Sequence, residues 1–234
     1  ISIEDRRFTR PESTGRFRRI KELSTRVTTI DHSGKYVQRS ESGDHKTMSA
    51  AFGCVGTTIR LQSGKYLDLR NPSPDQFDLM DVAGALSKIC RFGGQIDRFY
   101  SVAQHSYLCS KVGEQDGLPI ETQVALLFHD AAEAFVGDMV KPLKQMLPEF
   151  SSIELRIESA IAEKWQIDFV REEFSVKKID REMLIAERRR LFSPDAVKWT
   201  GEDEVRRIRP DIPLWFPPEA EEMFVLRARM LGVK

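Results

Sequence analysis

The apolar positions in the middle of the chain recur every three or four residues, a spacing that predicts amphipathic helices. The first such run covers 78–90, and its apolar positions are Leu79, Val82, Ala83, Leu86 and Ile89. The glycines at 93–94 are expected to end this helix. A capping-box pattern at 101–104 predicts a second helix from Ser101 to about residue 112. Pro119 is expected to open a third helix that stops near Gly137.

The same spacing predicts further helices towards the C-terminus, and a different pattern precedes the helical region. The later helices are expected at 142–147, along the face of Ile153, Ile157, Ala160, Ile161 and Trp165, along Ile179, Met183, Ala186 and Arg190, and at 219–231. Residues 57–70 instead alternate around a Ser-Gly turn, which is typical of a short β-hairpin. The sequence therefore predicts an all-α fold with a small β-hairpin on its N-terminal side.

Residues 1–50 differ in composition from the rest of the 234-residue chain. They hold 11 Lys and Arg against 7 Asp and Glu, with few apolar residues. We interpret 1–55 as a basic, flexible extension and 56–234 as one domain with its core at 77–192. A transit peptide is disfavoured because such peptides are poor in acidic residues.

Overall composition bounds the partners and the compartment. Lys and Arg balance Asp and Glu at 36 each, so no firm signal for nucleic-acid binding exists. No stretch approaches the roughly 20 apolar residues of a membrane span. Three cysteines make a disulfide framework improbable, and a reducing compartment, the cytoplasm, is expected.

The chemistry concentrates on a His-Asp pair, His129-Asp130, within an apolar run. Burying such groups costs several kcal/mol unless something compensates them, and a metal ion does so. On a helix, Glu133 would project from the same face as His129. His105 on the preceding helix and Asp180 on a later one would complete a site of two imidazoles and two carboxylates. Mixed nitrogen and oxygen ligands favour Mn²⁺, Co²⁺, Mg²⁺ or Fe²⁺ over thiol-rich zinc chemistry.

Each of these residues has an ordinary structural interpretation when it is taken alone. His105 could be a structural histidine, His129 a hydrogen-bonded core residue, and Asp180 a helix carboxylate. Their joint placement favours the metal site. The chain has four histidines, and none of the others lies at 106–128 or 131–234, so a single ion is expected.

The order His105, His129-Asp130 and Asp180 resembles the H…HD…D signature of the HD-domain metal-dependent phosphohydrolases. The similarity is closest to the branch of 5′-deoxynucleotidases and phage deoxynucleoside triphosphohydrolases. It covers roughly residues 77–192, and the supporting strings are 86–92, 129–133, 137–138 and 177–180. The resemblance implies an HD-domain helical bundle.

The resemblance also implies roles for individual residues. One divalent ion, Mn²⁺, Co²⁺ or Mg²⁺, would be held by His105, His129, Asp130 and Asp180. Glu133 would be the catalytic carboxylate acting through water, and Arg91 would contact phosphate. Asp138 would be a second catalytic-site residue that assists in sugar or active-site recognition. The residue after that arginine is often Trp in the deoxynucleotidases and crowds the sugar, and it is Phe92 here.

Some positions keep a second interpretation. Arg91 could be a helix-end cation, Asp138 an N-cap, and Glu133 the partner of an arginine. Lysines 141, 144 and 177 could reach a phosphate tail, and Lys177 is favoured because it precedes Asp180 by three residues.

These residues predict a metal-dependent phosphohydrolase acting on nucleotides, releasing phosphate from nucleoside 5′-monophosphates as a 5′-(deoxy)nucleotidase. The rival activity removes triphosphate from deoxynucleoside triphosphates, and hydrolysis of (p)ppGpp is a third. From another class, the domain could be a non-catalytic nucleotide-binding module. A homodimer is expected by analogy alone.

Overall fold

A computed structural model describes residues 28–30, 36–38, 54–193, 197–208 and 210–234. The chain divides into two compact units, residues 1–49 and 50–234. In the first unit, β1 (Thr28–Ile30) pairs with β2 (Tyr36–Gln38) in antiparallel register. The sequence pattern did not predict these strands, because three residues are too few to establish an alternation. Of the predicted flexible extension at 1–55, Cys54 and Val55 instead form a strand of the second unit, and, apart from β1 and β2, the remaining residues lie outside the described part of the chain.

The second unit begins with a three-stranded antiparallel sheet in the order β3-β4-β5. Its strands are β3 (Cys54–Val55), β4 (Thr58–Arg60) and β5 (Tyr66–Asp68). The last two form the predicted hairpin, and Gly64 takes the left-handed conformation that its turn requires (φ +89°). Ser63 at this turn donates to the carboxylate of Asp81 through both its backbone N–H and its hydroxyl, which fixes the hairpin to the first helix.

The remainder of the unit is helical, which confirms the predicted fold class. Among the described residues the helices are α1 (Leu79–Leu86), α2 (Val102–Gln115), α3 (Ile120–Phe128), α4 (Glu133–Val136), α5 (Lys141–Lys144), α6 (Pro148–Trp165), α7 (Phe169–Leu191) and α8 (Pro217–Met230). Ser101 caps α2 as expected, and its hydroxyl accepts from the N–H of Gln104. None of the described helices is long and apolar enough to cross a bilayer.

Two helix boundaries differ from the prediction. The first helix ends at Leu86 rather than Cys90, because Cys90 forms a short antiparallel bridge with Ser101. The next residue continues this pairing, since the N–H of Arg91 donates to Tyr100 O over 2.9 Å. The bridge thereby brings Arg91 close to the start of α2.

The predicted third helix is broken into α3 and α4 by a turn at 129–132. Hydrogen bonds in this turn span three residues, as from the N–H of Glu133 to Asp130 O over 3.0 Å. The ring of His129 lies with Nδ1 2.9 Å from Leu126 O, the carbonyl that a continuing α-helix would pair with the N–H of Asp130. The side chain thus competes with the helix ladder. Asp130 and Glu133, rather than His129 and Glu133, become aligned neighbours.

Helix α2 lies at the centre of the bundle and packs against α3, α7 and α8. Apolar side chains of α2 and α7 meet in one buried cluster, which contains Cys109, Ile179 and Met183. The four predicted metal ligands lie on or directly after the same three helices: His105 on α2, His129 and Asp130 at the end of α3, and Asp180 on α7. The helix packing therefore brings them to one place.

Candidate metal centre

The two histidines and two aspartates of the predicted ligand set converge on one point. His105 Nε2 lies 3.3 Å from His129 Nε2 and 3.2 Å from Asp180 Oδ1. Asp130 Oδ2 lies 3.3 Å from His129 Nε2 and 3.6 Å from His105 Nε2. His129 Nε2 and Asp180 Oδ1 are 3.8 Å apart. Four potential ligand atoms therefore surround a space of the size that a single ion fills.

The other ring nitrogens show which way the imidazoles are oriented. His105 Nδ1 lies 2.5 Å from Glu187 Oε1, and His129 Nδ1 lies 2.9 Å from Leu126 O. Both contacts are to acceptors, so Nδ1 is the protonated nitrogen of each neutral ring. The lone pairs of the two Nε2 atoms then face each other beside two carboxylates. This arrangement is repulsive without a cation between the rings, and it suits a bound metal ion.

The pKa values of the histidine and aspartate side chains also indicate a site that needs a positive charge. Burial alone would lower the pKa of His129, but the carboxylates of Asp130 and Asp180 outweigh it and raise that pKa above its ordinary value. Burial opposes ionisation of Asp180, yet hydrogen bonds from His105 and His129 hold its pKa well below its usual range. In the metal-free protein, a proton therefore takes the place of the cation.

We expect the metal-free protein to lose stability as the pH rises above neutral. A histidine whose folded pKa is raised contributes stability below its unfolded pKa, near 6.5, and this contribution is lost as the pH rises through the folded pKa. A saturating divalent ion should remove this loss by replacing the proton. Thermal unfolding between pH 6 and 9, with and without Mn²⁺, measures the effect. A midpoint equally insensitive to pH in both conditions would contradict it.

Cys109 also lies beside the histidines. The ligand atoms of His105, Cys109 and His129 are all within 4.8 Å of one another, a grouping that could hold a metal ion. However, Cys109 Sγ is 3.4 Å from Nε2 and 3.9 Å from Nδ1 of His105. Near-equal distances to both nitrogens place the sulfur over the ring face rather than on a lone-pair axis. Burial raises the pKa of this thiol to about 11, whereas the thiolate is the form that binds metals.

Glu187 is a fully buried carboxylate behind the site. Its Oε1 faces His105 Nδ1 and accepts from the Tyr100 hydroxyl over 2.7 Å. Its Oε2 lies 3.4 Å from Arg91 Nη2. Burial raises the pKa of Glu187, but His105 and Arg91 outweigh that effect and lower it below its ordinary value. Glu187 lies seven residues after Asp180 on α7, and the sequence pattern shows no sign that its carboxylate contacts both Arg91 and His105.

We expect Glu187→Gln to weaken divalent-metal binding by about 10- to 100-fold, because such outer contacts fix ligand orientation. Titration with Mn²⁺ against a competing chelator measures this without reference to turnover. Glu173→Gln, an exposed position on the same helix, is the matched control and should bind the ion as the parent does. Equal affinities in the parent and both variants would show that Glu187 does not position His105.

Asp130 and Asp180 line a cleft of about 860 Å³. Most of the other predicted site residues also line it, namely Arg91, Phe92, Glu133, Asp138 and Lys141. In all, four carboxylates and three cations surround the cleft, with Lys144 as the third cation. The cleft therefore carries an excess of one formal negative charge, which would repel an anionic substrate. One bound divalent ion would make the net charge positive.

Glu133 lines this cleft from the first residue of α4. Its Oε2 is buried and has no hydrogen-bond partner among the described residues. Burial and the charges of Asp130 and Asp138 raise its pKa well above the ordinary value. A carboxyl group that faces a cleft without a partner is suited to exchanging a proton with water or substrate.

Phe92 and Asp138 lie next to each other at the side of the cleft. The backbone N–H of Phe92 lies close enough to the Asp138 carboxylate to counteract, in small part, the rise in its pKa. Phe92 itself has φ +58° and ψ 25°, a left-handed conformation that bulky residues rarely adopt. Asp138 is not an N-cap, because Val140 holds that position for α5. It is a half-buried cleft residue whose pKa is raised by burial.

The three candidate phosphate-binding lysines have different surroundings. Lys141 and Lys144 line the cleft, and Lys144 is paired with Glu154. Lys141 has no ion-pair partner in the part of the chain that the structure describes. Lys177 does not line the cleft: it is exposed and pairs with Glu173 one turn earlier on α7. Three residues along a helix leave about 60° around its axis, so Lys177 does not face the cleft together with Asp180.

Arg91 is nearly buried and contacts two carboxylates. Its Nη1 donates to Asp130 Oδ2 over 3.2 Å, and Nη2 faces Glu187. It belongs to the short 3₁₀ turn at Arg91–Gly94 rather than to the end of α1, so its role as a helix-end cation is excluded. The arginine connects the ligand set to the cleft wall.

Among the cleft residues that the sequence did not indicate, two come from a distant part of the chain. Trp199 and Thr200 reach the cleft from the segment after α7. No local signal marks Trp199, because its position depends on contacts with residues distant along the chain.

Comparison with known proteins gives two relatives. The chain is 39% identical over 141 residues to the uncharacterized protein YfdR of Escherichia coli, which covers 60% of this chain and 76% of that protein. It is 34% identical over 107 residues to an uncharacterized protein of Rhodobacter capsulatus, covering 44% of this chain and 55% of that protein. No family model matches the sequence.

Proposed function

The chain belongs to the same protein family as YfdR of Escherichia coli, and we propose that it is a metal-dependent phosphohydrolase acting on nucleotides. The observation that carries the proposal is the meeting of His105 Nε2, His129 Nε2 and the carboxylates of Asp130 and Asp180 beside a cleft lined by Arg91. Their order along the chain supports placing the domain among the HD-domain phosphohydrolases.

We propose that these two imidazoles and two carboxylates, rather than the thiol of Cys109, hold one divalent ion. The high pKa of the thiol and the position of its sulfur over the His105 ring argue against thiolate ligation. Nitrogen and oxygen ligands with positions left open suit Mn²⁺, Co²⁺ or Mg²⁺. Such an ion supplies Lewis acidity, since it lowers the pKa of water and polarises a phosphoryl oxygen.

The protein's own residues divide the remaining tasks of phosphate ester cleavage. Arg91 neutralises charge on the phosphoryl oxygens, and Lys141 adds a second positive charge at the cleft wall. Glu133 accepts a proton from the attacking water, and its unpartnered oxygen leaves that position open. Asp138 lines the cleft beside Phe92 and is placed to contact the sugar of the substrate.

The cations available in the cleft favour a monophosphate as substrate. Lys177 lies outside the cleft, and Lys144 is paired with Glu154, which does not line it. Arg91, although it contacts Asp130 and Glu187 at the site, and Lys141 are then the cations that face the substrate. A triphosphate carries more negative charge than these two groups and one ion compensate. We therefore propose a 5′-(deoxy)nucleotidase, with triphosphate release as the rival reaction.

The proposal is tested with ribo- and deoxyribonucleoside mono-, di- and triphosphates in the presence of Mn²⁺, Co²⁺ or Mg²⁺. We expect release of inorganic phosphate from monophosphates, abolished by a chelator and restored by the ion. Release of intact triphosphate from triphosphates alone would replace the nucleotidase proposal with its rival. Nucleotide binding without turnover under any ion would instead indicate a binding module.

A further inference from the structure

Three aromatic side chains form one cluster at the cleft, here called the aromatic wall: Phe92, Phe192 and Trp199. The ring centroids of Phe92 and Phe192 are 5.1 Å apart, those of Phe192 and Trp199 5.6 Å, and those of Phe92 and Trp199 6.2 Å. Phe92 and Trp199 line the cleft, and both are half-buried. The cleft therefore has an apolar, π-rich side as well as its ionic one.

Glu202 fixes the segment that carries Trp199. This carboxylate is buried, and it accepts hydrogen bonds of 2.8 Å from Arg188 and of 2.8 Å from Arg189 at the end of α7. It also accepts from the backbone N–H of Trp199 over 3.3 Å. The guanidinium of Arg188 lies over the indole, 5.4 Å from the ring centroid. Trp199 is thus held at the cleft by Glu202 on its own segment, and Glu202 is in turn bound by Arg188 and Arg189 of α7.

The aromatic wall starts directly beside the ionic site. Phe92 follows Arg91, whose guanidinium contacts the ligand Asp130. A substrate with its phosphoryl group at Arg91 therefore has its other end in reach of Phe92 and Trp199. A purely polar ester would leave these rings in water, whereas a planar base would cover them.

We propose that Trp199, with Phe92, stacks on the nucleobase of the substrate, so that the enzyme takes nucleotides rather than phosphate esters without an aromatic group. This inference rests on the proposed function and assigns the specificity for the base to the aromatic wall. Stacking is tolerant of base identity, because every base has a π face. Discrimination among the four bases is accordingly expected to be weak.

The test compares a nucleoside 5′-monophosphate with ribose 5-phosphate, which lacks the base. Trp199→Ala should raise KM for the nucleotide by about 10- to 100-fold and leave KM for ribose 5-phosphate within about twofold. Trp199→Phe keeps a stacking ring and should retain most of the affinity. Trp165→Phe is the matched control, since that indole packs on Phe128 outside the cleft. Equal rises in KM for both substrates in Trp199→Ala would assign Trp199 a purely structural role and overturn the proposal.

A binding readout separates this proposal from the hydrolase assignment. Nucleoside monophosphate should quench the intrinsic fluorescence of the parent and of Trp165→Phe, and the quenching should be lost in Trp199→Phe. Quenching of this pattern without any phosphate release would uphold stacking and refute the hydrolase. Phosphate release with ribose 5-phosphate preferred, or quenching unchanged in Trp199→Phe, would refute stacking and leave the hydrolase standing.

Discussion

His129→Asn is expected to lower the affinity of the protein for Mn²⁺ by more than about 100-fold. This is a larger loss than the roughly 10- to 100-fold expected when a residue that only contacts a metal ligand is replaced. Asparagine can still donate to Leu126 O, where the histidine places Nδ1. It has no atom at the position of Nε2, so one ligand disappears while the turn is preserved. Turnover should fall by at least about 1000-fold, since the ion supplies several kcal/mol of charge stabilisation.

Two further variants identify which side chains complete the ligand set. Asp180→Asn should weaken Mn²⁺ binding in the same way as His129→Asn, because the side chain at position 180 loses its negative charge. Cys109→Ala should keep affinity for Mn²⁺ within a few-fold, since the buried thiol stays protonated. Competition with a fluorescent chelator measures all three. If Cys109→Ala lost the ion and Asp180→Asn retained it, the thiol of Cys109 rather than the carboxylate of Asp180 would be the metal ligand.

The helical part of the fold could be predicted because its signals are local. Apolar spacing located α1 and the second half of α7, and the Ser101 pattern located the start of α2 within one residue. The ligand residues could be proposed for a related reason: a His-Asp pair in an apolar run is costly to bury without a compensating cation. The structure brings these residues together as the spacing predicted.

Other features of the site depend on competition between side-chain and backbone hydrogen bonds, and on contacts between residues that are far apart in the chain. The turn at 129–132 arises because the imidazole of His129 takes up a carbonyl of the helix ladder, which hydrophobic spacing does not register. Trp199 reaches the cleft through Glu202, whose arginine partners lie 13 and 14 residues earlier. The solvent-facing position of Lys177 is set by its angle around α7 and by Glu173. Such features become visible only when the elements have packed.

The turn at 129–132 also positions Glu133, and substitution of Glu133 is expected to have the second large effect on turnover. Glu133→Gln should lower turnover by about 100- to 10,000-fold, the usual range for loss of a general acid or base. Glutamine keeps the size of the side chain but cannot accept a proton from water at neutral pH. Metal affinity should be nearly unchanged, because Glu133 is outside the four-atom ligand set. Steady-state phosphate release and Mn²⁺ titration on the same preparation measure the two quantities.

Glu158 provides a matched control for that substitution. It is also a half-buried carboxyl whose pKa is raised, first by burial and then by Glu154, but it does not line the cleft. Glu158→Gln should therefore leave turnover within about twofold, because Glu158 lies outside the cleft even though Asp130 and His129 are near enough to affect its pKa. Similar losses in both variants would trace the effect to altered charge around the ion. A loss confined to Glu133→Gln, with the ion retained, assigns the proton transfer to the first residue of α4.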